Sequence, residues 1–249
     1  MLKNKTVLIT GASSGFGLAA ARQFAKAGAK LVLCARHIEE LQKEFKTNAH
    51  IFALDVRHQA DIKKQLALIP ADFKNIDILL NNAGLAAGLE TIQDANTQDW
   101  EAMIDTNIKG LLYITHEILP QMIANNSGHI INIGSISSHS VYSKGVVYCA
   151  TKHAVKAISE GLRHDVFGTK IRVSEIDPGA AETNFSKVRF KGDEKRAASI
   201  YEGFNALTAD DIADAILYCA TRPLHVNVSE MIIMPTDQVS VALVSRSKP

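Results

Sequence analysis

The chain has 249 residues and a formal net charge of +1 at pH 7. That near balance, without a dense Lys/Arg block, argues against a nucleic-acid binder, since neutralising phosphates takes a basic stripe. No apolar run approaches the roughly 18 residues needed to span a bilayer, so a soluble, cytoplasmic protein is expected. The length suits one α/β domain. Cys34, Cys149 and Cys219 lack metal-ligand spacing and read as free thiols of a reducing compartment.

Residues 5–10 (KTVLIT) form a β-branched apolar run that leads into Gly11-Ala12-Ser13-Ser14-Gly15-Phe16-Gly17 and an Ala-rich stretch to residue 27. This opening reads as a first strand, a turn and a helix, not as a signal peptide. Gly28 ends the helix, and a strand at 31–34 with helical spacing at 38–45 completes a βαβ unit. The alternation repeats as strand 51–54, helix 60–69, strand 76–80, a long helix 99–124, strand 130–133, helix 146–166, strand 171–176, helix 210–220 and strand 230–234. Apolar strands separated by helices imply a parallel sheet covered on both faces, a doubly wound Rossmann-type α/β fold in a single domain over residues 1–249. Polar stretches at 84–96 and 178–208 follow strands on the side where such sheets bind ligands. The second, with its core at 180–208, is expected to be a substrate lid with one or two helices between residues 193 and 204. The tail from 239 to 249 is expected against a neighbouring subunit.

The spacing Gly11-x-x-x-Gly15-x-Gly17 departs from G-x-G-x-x-G but serves the same purpose: a tight turn, close approach of backbone to a pyrophosphate and of helix to sheet, and donors at a helix N-terminus. Alone it also fits a turn that needs glycine for geometry only. An acid about 20 positions beyond the glycines normally takes the ribose hydroxyls of NAD. Here that position reads Cys34-Ala35-Arg36-His37, and Arg36 favours a 2′-phosphate, hence NADP. A solvated arginine at a helix start is the plainer alternative.

Tyr148 and Lys152 stand four residues apart, with Ser135 upstream. On a helix they share a face, and an ammonium about 4 Å from a phenol supplies about the 4 kcal/mol that brings a tyrosine from about 10 to about 7. Lys152 is therefore expected to depress the Tyr148 phenol. The same spacing also describes a surface pair one turn apart.

Thr10 to Gly17, Asn81-Asn82-Ala83-Gly84, Asn107, Ser135 and Tyr148-Cys149-Ala150-Thr151-Lys152, in this order, resemble the short-chain dehydrogenase/reductase family over essentially the full length. The resemblance implies Asn107, Ser135, Tyr148 and Lys152 as the catalytic set: Ser135 and Tyr148 on the substrate oxygen, Lys152 on the phenol and the nicotinamide ribose, Asn107 supporting a proton-relay water. It further implies cofactor contacts from Gly11, Ser13, Ser14, Gly15, Phe16 and Gly17, from Asp55 and Val56 at the adenine, and from Asn82, Ala83 and Gly84 at its ribose. Pro178, Gly179 and Thr183 would lie at the nicotinamide. A homotetramer paired through helices 99–124 and 146–166 is the family expectation.

The runs 184–193, 206–211 and 225–228 are similar to a narrower group, the NADP-dependent 3-hydroxy acid dehydrogenases, which act on L-serine, L-allo-threonine, 3-hydroxypropionate or malonic semialdehyde. Ala180-Ala181-Glu182 departs from that group and leaves the loop conformation and substrate preference open. A small anionic substrate calls for a cation. Arg189 is the candidate clamp, with a solvated lid charge as its alternative.

Other ketone, aldehyde or ketoacyl substrates stay open, as does a non-catalytic redox sensor, although the sensor reading sits poorly with an intact Ser135, Tyr148 and Lys152. Glu175 and Asp177 are explained by strand alternation without chemistry. His129, His139, His153 and His164 are read as structural or surface residues and no metal is expected. Trp100 and Met103 read as core.

Overall fold

The computed structural model describes residues 2–247. Seven parallel strands form one sheet in the order β3-β2-β1-β4-β5-β6-β7: β1 Thr6–Thr10, β2 Lys30–Ala35, β3 Ala49–Ala53, β4 Ile78–Asn81, β5 Gly128–Ile133, β6 Ile171–Pro178 and β7 Glu230–Ile233. The order reverses between β1 and β4, so a crevice opens beyond their carboxyl ends.

Strand alternation explains why both faces are apolar. Val7 and Ile9 of β1 point to one side, with Phe24 of α1 (Gly15–Lys26) and Ile216 of α9 (Ala209–Ala220). Leu8 points to the other, with Ile118 and Met122 of α5 (Leu111–Ala124) and Leu162 of α6 (Val146–Asp165). Successive side chains on a strand face opposite ways, and helices cover each. Ala19, Ala20 and Ala21 are buried in α1; their small side chains let it lie close to the sheet and to α9. Thr208 caps α9 and Asp211 returns the bond to the cap backbone, the reciprocal pattern that satisfies two orphan amides. The remaining helices are α2 Glu39–Glu44, α3 Gln59–Ala67, α4 Thr97–Ile104, α7 Phe185–Arg189 and α8 Glu194–Ser199.

Three expectations change. The helix expected to run unbroken over 99–124 is interrupted between α4 and α5 by a π-helical segment, Asp105–Gly110. Such single-turn insertions often mark functional sites. Here the wider turn brings Asn107 inward, and Gly110 lies so close to Val56 that a Cβ would fall 2.6 Å from a Val56 methyl carbon. In the lid, α8 falls in the expected window, capped by the Asp193 side chain on the Arg196 amide at 3.0 Å, but α7 precedes it. The tail folds back on its own lid: Arg246 donates to the Ile200 carbonyl at 2.9 Å and the Ser247 amide to Gly203 at 2.8 Å. Residues 248 and 249 lie outside the described residues.

Leu8 is 0% exposed at the centre of the sheet. Leu8→Ala is expected to cost about 2–5 kcal/mol through lost burial and a residual cavity, read as a lower denaturant midpoint at unchanged slope.

Candidate active site

A cavity of about 590 Å³ opens at the carboxyl ends of the strands, bordered by the glycine turn, the ends of β2 to β6, the start of α6, the lid and the tail. Every site residue singled out in the sequence borders it except Gly17 and Asn107. Both act from behind the wall.

The glycine turn is held by the protein itself. The Asn82 amide donates to the Thr10 and Gly11 carbonyls at 2.9 and 3.0 Å, and the Thr10 hydroxyl accepts the Asn82 and Ala83 amides at 3.1 and 3.0 Å. A Cβ on Gly17 would run into the Asn82 amide and stand 2.5 Å from the Gly11 carbonyl, so Gly17 serves this packing. Gly11, at φ +63°, and Gly15, at φ +52°, take left-handed conformations that disfavour side chains. A Gly15 Cβ would point at Thr183 across the cleft, 3.6 Å away. Asn82 is thus the clamp of the turn more than a lining group, and Thr10 is a partner the sequence reading missed.

The cradle fits a dinucleotide. Ser14 precedes α1 without a side-chain cap and the first turn carries no acid, which leaves the helix start free to bind an anion. Arg36 is exposed at the rim with no ion pair among the described residues. Arg57, by contrast, is held on Asp55 through a forked contact at 2.6–3.0 Å, so Asp55 meets the cleft with its carboxylate engaged. Across the cleft, Gln238 accepts the Ala180 amide at 2.7 Å and the Gly179 amide reaches Ile233 at 2.7 Å, which fixes the Pro178-Gly179 corner. Ala181 and Glu182 are fastened to Leu207, and this settles the conformation of the loop whose sequence departs from its group.

Helix α6 carries Tyr148 and Lys152 on its buried face, at 9% and 6% exposure. Thr151 donates to the Tyr148 carbonyl at 2.8 Å and accepts from Asn107 at 3.0 Å. The rest of the Asn107 amide clasps Leu85, accepting its N–H and donating to its C=O, both at 2.8 Å. Asn107 thereby ties α6 to the wall of the cleft. Ser135 caps the short turn Ile136–Ser138, its hydroxyl accepting the Ser137 amide at 3.1 Å. Its own N–H donates to Asp177 at 2.7 Å.

The expected depression of Tyr148 by Lys152 does not occur in this structure. The Lys152 ammonium donates to the Ile133 carbonyl at 2.8 Å and lies 6.0 Å from the phenol ring centre. At that range, with an effective dielectric of about 20, a unit charge is worth about two pKa units, whereas full burial raises a phenol by up to about 3–5. Burial wins: it holds the Tyr148 phenol well above its usual range, against the pull of Arg189 and a bond with Ser135. Burial also pushes Lys152 down to about 8, with Asp177 and Glu175 pulling the other way.

Arg189 is the nearer cation. Its guanidinium lies 5.0 Å from the Tyr148 ring, 5.5 Å from Phe185 and 5.6 Å from Tyr142, and it donates to the Tyr142 hydroxyl. Its Nε is buried without a partner. Tyr142 and Phe185 were not anticipated, because nothing in helical or strand periodicity marks an aromatic cage assembled from a loop and the starts of α6 and α7. Met103 is buried beneath this end of the cleft and Trp100 packs beside it.

His129 bonds Ser174 at 2.8 Å and His153 the Cys149 carbonyl at 2.9 Å, as structural histidines do. His139 differs: it reaches Asp177 at 3.2 Å.

A dinucleotide cradle facing a buried Ser/Tyr/Lys group is the arrangement of a nicotinamide-dependent oxidoreductase. The chain belongs to the short chain dehydrogenase family, whose sequence pattern matches residues 5–194. It is 48% identical over 236 residues to the NADP-dependent 3-hydroxy acid dehydrogenase YdfG of Salmonella typhi, covering 93% of this chain and 95% of that one. It is 42% identical over 236 residues to the serine 3-dehydrogenase of Agrobacterium fabrum, covering 94% of each. Among solved structures it resembles the closed form of serine dehydrogenase complexed with NADP+, with a TM-score of 0.93 and 45% identity over 98% of this chain and 100% of that one. The serine dehydrogenase from Escherichia coli superposes with a TM-score of 0.83 at 42% identity, covering 94% and 99%.

Asn107→Ala removes one acceptor and one donor from the half-buried Leu85 backbone. Unfolding in urea is expected to show a loss of about 1–3 kcal/mol; unchanged stability would mean the clasp is dispensable.

Proposed function

We propose that this chain is an NADP-dependent dehydrogenase/reductase that acts on the CH–OH group of a small 3-hydroxy acid such as L-serine, L-allo-threonine or 3-hydroxypropionate, or on the matching semialdehyde. The observation that carries the substrate class is Arg189: a guanidinium stacked 5.0 Å from the Tyr148 ring, with a buried and unpartnered Nε, in the same cavity as Ser135. A planar cation with free donors beside the proton donor suits a carboxylate. The named relatives, NADP-dependent 3-hydroxy acid dehydrogenase and serine 3-dehydrogenase, support it.

NADP supplies or accepts the hydride. Arg36 would take its 2′-phosphate, the glycine turn from Gly11 to Phe16 the pyrophosphate, Asp55 and Val56 the adenine, and Ala83 and Gly84 its ribose. Lys152 would hold the nicotinamide ribose, with Pro178, Gly179, Thr183 and Tyr148 lining the same cavity. Ser135 and Tyr148 hydrogen-bond the reacting oxygen. In reduction the Tyr148 hydroxyl gives its proton to that oxygen; in oxidation the phenol oxygen receives it. A phenol held high by burial is protonated and ready to donate, and the oxidative direction needs the extra positive charge of the oxidised nicotinamide. Asn107 positions Thr151 and Lys152. A homotetramer in the cytoplasm completes the reading, supported by Leu112, Ile123 and Val146 exposed on the outer faces of α5 and α6 and by three buried free cysteines. Among the described residues no helix is long and apolar enough to cross a membrane.

A screen of serine, allo-threonine and 3-hydroxypropionate at fixed NADP, with Tyr148→Phe as blank, tests the activity. Turnover in the wild type alone is expected; turnover of neutral alcohols only would refute the substrate class. Arg189→Ala is expected to raise KM for the 3-hydroxy acids by about 10- to 150-fold, the loss of a charge-assisted pair at about 1.5–3 kcal/mol, and an unchanged KM removes the clamp. Arg36→Ala is expected to lower kcat/KM with NADP about tenfold or more and to leave NAD little affected. Below about 8 Lys152 is charged and above it the charge is lost, so reduction rates fall as pH rises past that point, and Lys152→Met flattens that limb.

A further inference from the structure

Behind Ser135 and Lys152 lie two carboxyl groups that the reaction, as described, does not use. Glu175 and Asp177 of β6 are both 0% exposed and point to the same side of the strand, with their oxygens crowding the spot where a Gly134 Cβ would stand. They are faced by Ser135 and His139 from the turn after β5, by Lys152, Lys156 and Ser159 from α6, and by Glu230 from β7.

The donors settle which carboxyl is charged. Lys156 can only donate, and its ammonium stands 2.8 Å from His139 Nδ1; that nitrogen accepts, so the ring N–H is on Nε2 and donates to Asp177 Oδ2 at 3.2 Å. The Ser135 N–H occupies the other oxygen at 2.7 Å. Asp177 therefore accepts at both oxygens, as an ionised carboxylate does. Neither oxygen of Glu175 has a donor, because the neighbouring Ser159 hydroxyl donates to the Val155 carbonyl at 2.8 Å, and an ionised carboxylate buried without a donor is very costly. One proton on Glu175, directed at Asp177, removes that cost. Burial and the Asp177 charge move Glu175 up to about 8; burial raises Asp177 as well, with the His139 and Ser135 bonds pulling against it. His139, Asp177 and Glu230 also bring three ligand atoms within 4.8 Å of one another, but the Lys156 ammonium, 3.3 Å from Glu230, already supplies the positive charge there.

We propose that Glu175, Asp177 and His139 form a positioning unit behind the reacting group, in which the two carboxyls share one proton and the remaining negative charge fixes the Ser135 backbone and faces the Lys152 ammonium. The unit rests on the reading of Ser135, Tyr148 and Lys152 as the reacting group. It gives Lys152 a permanent counter-charge, and its outer end meets His139, Lys156 and Glu230, whose side chains are 21%, 36% and 32% exposed.

Two measurements on the full-length protein test it. Infrared difference spectra in heavy water at pH 7 between wild type and Glu175→Gln are expected to show a protonated-carboxyl band lost in the variant; superimposable spectra in that region overturn the shared proton. In the pH profile of NADPH-dependent reduction, Asp177→Asn keeps an acceptor for Ser135 but removes the charge. The alkaline limb is expected to move down by about one unit or more, since a nearby opposite charge moves a pKa by about 1–3 units. Should that variant not fold, His139→Gln, at a partly exposed position, is expected to move the limb in the same direction, because Asp177 then protonates more readily. A limb unmoved in the folded variants, with Tyr148→Phe inactive, overturns the positioning unit alone. An active Tyr148→Phe overturns the reading it rests on.

Discussion

The Lys152 ammonium is out of water, and its surroundings are arranged around that constraint. Burying a charge without compensation is far costlier than any single contact can offset. The Ile133 carbonyl at 2.8 Å accepts from it, and Asp177 and Glu175 on the neighbouring strand hold up its proton affinity. Asp177 in turn fixes Ser135, and the turn after β5 follows from that bond. The helix that carries Lys152 carries Tyr148 one turn earlier, so satisfying one charge places Ser135, Tyr148 and Lys152 at once.

A second set of buried polar groups ties this helix to the sheet. Asn81 donates to Thr115 and to Asn132, both at 2.9 Å, and Asn132 donates to Ser159 of α6 at 2.9 Å. Asn81 Oδ1 is left without a partner, but the three bonds that are made restrict the arrangement of this core, because a shift would unpair more buried polar groups. With the Asn107 clasp on Leu85 and the Thr10 and Asn82 clamp on the glycine turn, they align the dinucleotide cradle and the reacting group on one rigid frame. The lid is built differently, from short helices held by Ser186 to Tyr201 at 2.7 Å and Tyr201 to Ala181 at 3.0 Å.

The strands and major helices were legible in the sequence because a parallel sheet demands apolar runs on both faces, and residues such as Val7, Leu8 and Ile9 announce this without help from tertiary contacts. The cradle was legible because Gly11 and Gly15 have backbone conformations that few other residues tolerate. What stayed hidden depends on side chains meeting across the fold. The π-helical segment arises from Gly110 against Val56 and Asn107 against Leu85, and period alone cannot show either. The direction of the Tyr148 shift was misjudged because spacing gives the neighbouring cation but not the depth of burial. Asp177 and His139 lie 38 positions apart in sequence, and only the β5–β6 pairing brings them together.

Burial, not the lysine, sets the resting state of Tyr148, so added positive charge is needed to draw its phenol down. Ultraviolet difference titration of wild type against Tyr148→Phe, with and without NADP+, reads the phenolate directly. Without cofactor the Tyr148 phenol is expected to stay protonated beyond the ordinary tyrosine value of about 10, and to titrate lower once NADP+ is bound. A phenolate that appears near pH 7 in the cofactor-free protein would contradict the account.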